Sequence, residues 1–477
     1  MGFELSKRKA YLAIGLIALV SLLLIQAYGL TVSSGSPSAE PTFAATYLWS
    51  YATYGIVYPT PIVADGYMYT VSYSAYSSFV EVNCLNASTG AQVWNYGPRG
   101  FAGSLAVSDG YVYTSSTWGD LEAFNASKGA KIWNFTKENP MSTPVVADNR
   151  VYVKASGYVG SMENSIGFVY CFDAETGTRI WNYTIAASVG TPTVAGNMVY
   201  VPFRERFSTT NNVYALDAQT GAKIWSYPAG NYAVSSLIVG GSRGYVYVGS
   251  DDGNIYALSP FSGTTVWNYA IGGFSGSPVI DGDIIYVRSN TSNVYALDAK
   301  TGAKIWNYTA GNDVNSAIVA GNKLYIWTGN NTYALDASNG NAIWSYTTES
   351  PVATVTVDGG FTYIGYNVEK VGNVDCLNSS TGVKIWNYTT KYGHEVTRIA
   401  VSDDIIYAIT ADVLTKPIHI PGSIIYALEP TAVSPPLPLP LIVAVMGIVI
   451  SAVAFLVYWV RLKGTKGSPP ATATTRT

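Results

Sequence analysis

One phrase recurs along the chain and dictates what it can fold into. YALDAQTGAKIWSY (214–227) and YALDAKTGAKIWNY (295–308) are nearly identical. Looser copies are CLNASTGAQVWNY (84–96), AFNASKGAKIWNF (123–135), CFDAETGTRIWNY (171–183), YALSPFSGTTVWNY (256–269), YALDASNGNAIWSY (333–346) and CLNSSTGVKIWNY (376–388). Their tryptophans, Trp94, Trp133, Trp181, Trp225, Trp267, Trp306, Trp344 and Trp386, stand 38 to 48 residues apart. A repeat near 40 residues built from short strands is the signature of propeller blades.

The text between tryptophans is stereotyped. After Trp267 come SPVI, a DG turn, IIYVRS, a loop and NVYALDA. These segments alternate, are rich in Val, Ile and Tyr, and are separated by Gly, Asp and Asn. Each unit therefore reads as four antiparallel strands: A (SPVI), B (IIYVRS), C (NVYALDA) and D, which carries the Trp. Nine A strands begin near Thr60, Ser104, Thr143, Thr191, Ser235, Ser277, Ser316, Val352 and Thr397. The ninth unit stops at Glu429 without a D strand, while YLWSYAT (47–53) is a D strand with nothing before it. Pairing the two closes the ring and removes an exposed edge. The expected fold is all-β: a closed β-propeller of four-stranded blades over residues 46–430, its last blade completed by the strand of Trp49. Nine repeats are counted, with eight blades as the alternative.

The phrase has a physical reading. The Gly of the TG turn allows positive φ. The Asp or Asn two or three residues earlier can bond the turn backbone. A Trp at one position in every blade, Trp49 included, reads as inter-blade packing, with its indole N–H needing one partner. The small Ala or Cys opening the phrase leaves it room.

Charged residues make up only 12% of the chain, against about 25% in a typical soluble protein. The net charge is -3, and no basic block interrupts the repeats, which argues against nucleic acid as a partner. Residues 10–30 are uncharged and follow Lys7, Arg8 and Lys9, so segment 1–30 reads as a signal peptide or an N-terminal anchor, with 31–45 as linker. Residues 441–460 are uncharged and precede Arg461, Lys463 and Lys466. About 20 helical residues span the hydrocarbon core, so this stretch is expected to be a transmembrane helix. A Pro-rich linker (431–440) precedes it and a short basic cytoplasmic tail (461–477) follows. Positive flanks stay inside, placing the propeller outside the cell membrane.

The pattern A-x-D/N-x-x-T-G-x-x-x-W resembles the tryptophan-docking repeat of pyrroloquinoline quinone (PQQ)-type propellers. These include quinoprotein alcohol dehydrogenases and the outer-membrane-assembly propeller lipoprotein of bacteria. The resemblance covers nearly the whole ectodomain and implies the fold; function must be argued from the site. The dehydrogenases place a vicinal Cys–Cys disulfide against their cofactor, whereas Cys84, Cys171 and Cys376 lie in blades 1, 3 and 8 and read as small buried thiols. No C-x-x-C-H haem site or P-loop occurs, and pairs such as Asp281-Gly282 are turns rather than calcium ligands. The only two His, His394 and His419, are read as loop residues of the last blade. No cofactor, metal or catalytic residue is therefore assigned.

In a four-stranded meander the A–B and C–D turns share one face, and the B–C and D–A connections share the other. The first face is uniform. The second varies, with long B–C connections at 155–167, 203–212 and 410–423. Function concentrates where a rigid scaffold carries irregular loops. The binding candidates are Tyr158, Met162, Glu163, Arg204, Glu205, Arg206, Lys416 and His419. Both linkers leave from the uniform face, which is expected to look at the membrane. N-x-S/T acceptors stand at Asn86, Asn125, Asn134, Asn182, Asn290, Asn307, Asn330, Asn378 and Asn387. Four of them, Asn134, Asn182, Asn307 and Asn387, directly follow a repeat Trp, where alternation should turn them outward. Export, glycan acceptors and the lack of a disulfide framework fit an archaeal cell surface. The expected function is a membrane-anchored extracellular scaffold binding a protein, envelope component or glycan; a quinone- or sugar-dependent enzyme is the alternative.

Overall fold

Every A–B connection is a two- to four-residue turn, and the tight ones hold left-handed residues. Asp65 and Gly66 (φ 52° and 77°), Asp148 and Asn149, and Asp403 and Asp404 all have positive φ. Consecutive left-handed residues make the turn whose twist matches paired strands. Repeated around the chain, such hairpins build nine antiparallel sheets in a computed structural model that describes residues 42–57, 59–73, 80–98, 100, 105–137, 139–158, 165–204, 211–229, 237–250, 252–273, 277–391, 393–412 and 422–433. The nine-repeat count holds. Seven sheets have four strands; blades 1 and 4 have five, because their inner strand comes in two pieces. The blades occupy one compact unit, Ala44–Thr431. The segments expected to be a signal or anchor (1–30), linkers, transmembrane helix (441–460) and tail lie outside the described residues. No helix among the described residues is long and apolar enough to cross a membrane.

The ninth sheet runs in the order Thr42–Ala52, Ile424–Val433, Ile405–Asp412, His394–Ser402. Its outer strand is thus the N-terminal one. Thr53 N–H donates to the Ser423 carbonyl at 2.8 Å, and the Thr53 hydroxyl donates to the same oxygen at 3.1 Å. The end of one strand beside the start of the other makes the pair antiparallel. Both chain ends therefore leave on the side of the A–B and C–D turns.

The blades are fastened by one repeated device. The indole N–H of each D-strand Trp donates to a carbonyl in the C–D turn of the next blade, at 2.8–3.1 Å, in eight of nine blades. In many blades the B-strand Tyr donates to the same carbonyl: Tyr69 and Trp94 to Ala126, Tyr113 and Trp133 to Ala174, Tyr247 and Trp267 to Ala299. Ring closure repeats the device with residues from opposite ends of the chain. Trp49 and Tyr407 both donate to the Ala87 carbonyl. Trp49 is 7% exposed and packs with Met68 and Leu85 of blade 1 and with Ile409 and Ile425 of blade 9.

The turn glycine has a second role beyond positive φ. A Cβ at Gly90, Gly129, Gly177, Gly221, Gly263, Gly302, Gly340 or Gly382 would fall within 2.6 Å of the indole docked from the preceding blade. Only a bare Cα leaves room for the ring. The Asp or Asn before it acts as expected: Asp217 Oδ1 accepts from the Gln219 and Thr220 amides at 2.9 and 2.8 Å. These bonds hold the Asp217 carboxyl below its usual pKa.

The seam lies between blades 8 and 9. Strand C of blade 9 runs on to Val433 instead of turning back. Among the described residues Trp386 therefore meets no docking turn, and its buried N–H has no acceptor. Trp386→Phe is expected to cost less stability than Trp306→Phe, whose wild-type N–H bonds Ala337 at 3.0 Å, by about 1 kcal/mol. Urea midpoints of the two variants measure the difference; equal losses would contradict it.

One sequence reading needs correction. His394 is not in a loop. It opens strand His394–Ser402, half-buried, with Nδ1 2.6 Å from the Tyr426 hydroxyl. The inner strand of blade 9 begins three residues before Thr397, because Glu395 and His394 extend the ladder to Ala411 and Asp412. His419 lies outside the described residues.

Candidate functional site

The variable face is built by strand length. In blade 3, strands Arg150–Tyr158 and Ser165–Asp173 pair over nine residues each, from Arg150↔Asp173 to Tyr158↔Ser165. In blade 5 the corresponding strands, Tyr245–Gly249 and Asn254–Leu258, have five. Each of these strands is four residues longer in blade 3 than in blade 5. Blade 4 does the same with Met198–Arg204 and Asn211–Asp217. Arg204 ends its strand exposed, opposite Ser188 and Asn211. Tyr158 ends the equivalent strand of blade 3. Adjacent blades thus present two of the candidates at neighbouring strand ends. Met162, Glu163, Glu205, Arg206, Lys416 and His419 lie outside the described residues.

Sequence reasoning missed Arg398. It lines a cavity of about 360 Å³ with Pro59, Thr60, Ile62, Tyr69, Val71 and Leu105, between inner strands of blades 9, 1 and 2. The signal was present in the text. In the other eight blades the A strands carry no charge except a terminal aspartate, Asp281 or Asp358. HEVTRIAVS in blade 9 carries Glu395 and Arg398 mid-strand. An apolar base with one guanidinium can hold a small monoanion.

Buried acids elsewhere are accounted for by blade packing. Glu122 (blade 2) accepts from the Tyr96 hydroxyl of blade 1 at 2.8 Å and pairs with Lys131 at 2.6 Å. Asp375 (blade 8) accepts from Tyr346 of blade 7 at 2.6 Å and lies 3.6 Å from Lys384. At the same register other blades pair two tyrosines, as in Tyr227–Tyr256 and Tyr308–Tyr333, with centroids 6.0 and 5.9 Å apart. Burial, reinforced by the Asp375 carboxylate, pushes the Tyr346 phenol well above its ordinary range. These pairs join neighbouring blades.

The three thiols do not form a redox site. Cys84, Cys171 and Cys376 are free and fully buried, each paired across the sheet with its blade's Trp. Burial pushes each thiol up to about 12, which keeps it protonated and unreactive. Nor do the described residues fit the quinone that the resemblance brings with it. That cofactor is a tricarboxylate, and the cavity on the inner strands offers it one cation, Arg398. The cysteines point into blade interfaces rather than toward it. No catalytic step is derived through the group.

Comparison with known proteins agrees with this architecture. The family model described as outer membrane protein assembly factor BamB (PQQ_2) matches residues 78–164, 158–272 and 209–428, well over half of the chain. No curated protein matches. Among solved structures, BamB from Moraxella catarrhalis is 18% identical, covers 68% of this chain and 96% of its own, and has a TM-score of 0.48. Quinohemoprotein alcohol dehydrogenase from Comamonas testosteroni is 17% identical, with 83% and 77% covered and a TM-score of 0.51. The computationally designed Ika8 protein is 12% identical, with 72% and 98% covered and a TM-score of 0.51. At such identities the likeness of the two structures with TM-scores of 0.51 is one of fold alone. The docking phrase, its glycine–indole contacts and the family match carry one conclusion: this chain belongs to the BamB-type PQQ_2 repeat family.

Proposed function

We propose that this protein is a membrane-anchored propeller whose blades stand outside the cell and act as a binding or assembly scaffold. Residues 441–460 supply the anchor, with the tail 461–477 inside. The partner is a protein, an envelope component or a glycan, engaged at the B–C connections. The observation that supports this most is the contrast between faces. Eight blades repeat one docking turn with little variation, while the B–C strand ends of blades 3 and 4 extend and end on Tyr158 and Arg204. A uniform turn face is what ring assembly requires; the extensions differ from blade to blade and leave Arg204 exposed for recognition. Because both chain ends leave beside the uniform turns, an anchored disc would turn its B–C connections away from the bilayer.

The test uses the full-length protein in detergent. Segments 159–164 and 205–210 are replaced by the short B–C connection of blade 6. Species that co-purify with the native protein are expected to fall at least tenfold with the variant, with an unchanged thermal midpoint. Undiminished co-purification would place recognition elsewhere.

A further inference from the structure

The nine N-x-S/T acceptors are equivalent as text, but the fold sorts them into two classes. An acceptor tripeptide must enter an enzyme with the asparagine amide and the hydroxyl two residues later both within reach. Its backbone must therefore leave the protein surface.

Three acceptors sit in docking turns: Asn86, Asn125 and Asn378. The side-chain oxygen of Asn86 accepts from the Ser88 and Thr89 amides at 3.1 and 2.9 Å, and Asn378 accepts from Ser380 and Thr381 at 2.9 and 3.0 Å. Asn125 accepts from Lys128 N–H at 2.9 Å and from the Ser127 hydroxyl at 3.1 Å. The middle residue of each tripeptide, Ala87, Ala126 or Ser379, is buried under the indole of the preceding blade and accepts its N–H. Freeing such a tripeptide means undocking a blade. Asn330 fails differently: its hydroxyl partner Thr332 is 0% exposed. At Asn290 the backbone N–H bonds Gly273, and Ser292 is held left-handed (φ 63°).

The other four lie on D strands, the outermost of each blade, with one backbone edge unpaired in its sheet. Trp133, Trp181, Trp306 and Trp386 are buried, and the next residues, Asn134, Asn182, Asn307 and Asn387, are exposed. So are Thr136, Thr184, Thr309 and Thr389 two residues on. The middle residue is an aromatic half-buried at the rim, not a clamped turn. An edge strand can lift without breaking a blade interface from both sides.

We infer that the folded propeller is N-glycosylated on the rims of blades 2, 3, 6 and 8, at Asn134, Asn182, Asn307 and Asn387, and that Asn86, Asn125, Asn290, Asn330 and Asn378 stay bare. This rests on the proposed placement of the propeller outside the cell. The glycans also serve the fold, since bulky groups on outer strands block edge-to-edge pairing between molecules.

The experiment is glycopeptide mass spectrometry of the full-length protein purified from its native cells, beside labelling of intact cells with an impermeant amine reagent. Occupancy at the four rim sites and at none of the other five is expected. Thr→Ala at positions 136, 184, 309 and 389 should then remove every glycan without lowering the thermal midpoint. Occupancy at Asn86, Asn125, Asn290, Asn330 or Asn378 overturns the sorting, because it requires modification before folding. A labelled but glycan-free protein overturns this inference and leaves the placement standing. An unlabelled, glycan-free protein overturns both.

Discussion

Gly221→Ala unfolds at a markedly lower denaturant concentration than the native protein, whereas Gly196→Ala in the same blade shifts far less. Gly221 has φ +72°, and a Cβ there would lie 2.6 Å from Trp181 Cδ2. Gly196 has φ +52°, and a Cβ there would meet nothing within 4 Å. Both substitutions force a left-handed alanine, which costs about 1–2 kcal/mol. Gly221→Ala must also displace a buried indole hydrogen-bonded to Ala218 at 2.9 Å. Overpacking of this kind adds about 1–3 kcal/mol. The difference between the two variants isolates the docking contact from the backbone term. Equal losses in urea unfolding would mean that the glycine serves the turn alone.

Trp49→Ala is the second large effect. The residue lies in the first described strand, Thr42–Ala52, and a tryptophan on a loose strand could be removed at a cost under about 0.5 kcal/mol. In the closed ring it fills the blade 9–blade 1 interface and donates to Ala87 at 3.1 Å. Truncating a buried Trp costs about 3–5 kcal/mol. The loss should match that of Trp181→Ala, a docking residue deep in the chain, when both are unfolded in urea. A Trp49→Ala variant as stable as the native protein would exclude the interface.

These two predictions mark where the sequence was readable and where it was not. The strands, their order and the nine-blade count were legible because each blade repeats a local pattern of alternation and turn residues. Closure was legible because Trp49 had no blade of its own and Glu429 had no D strand after it. Contacts between blades were less so. The Gly221–Trp181 contact joins residues 40 positions apart in different repeats, and nothing in the TG dipeptide says which ring it faces. The D strand hides a second feature. Trp225 pairs with Ala215 but Lys223 with Leu216, so Ile224 is a bulged residue, 46% exposed. Ile132, Ile180, Ile305 and Ile343 repeat it. Alternation alone cannot show a bulge, because the extra residue breaks the period on which the reading depends. On the candidate site the sequence located the long B–C connections, and the strand extensions in blades 3 and 4 follow them. It overlooked Arg398, since a charge on an inner strand matters only once closure sets blade 9 beside blades 1 and 2.

Amide hydrogen exchange of the native full-length protein tests ring closure most directly. Thr53 N–H is bonded to Ser423, and the strand before it pairs with Ile424–Val433. Peptides covering 42–53 should exchange as slowly as those covering 424–433, and both should lose protection together in Trp49→Ala. Exchange of 42–53 at the rate of unstructured chain, beside a protected 424–433, would contradict the closed nine-bladed ring.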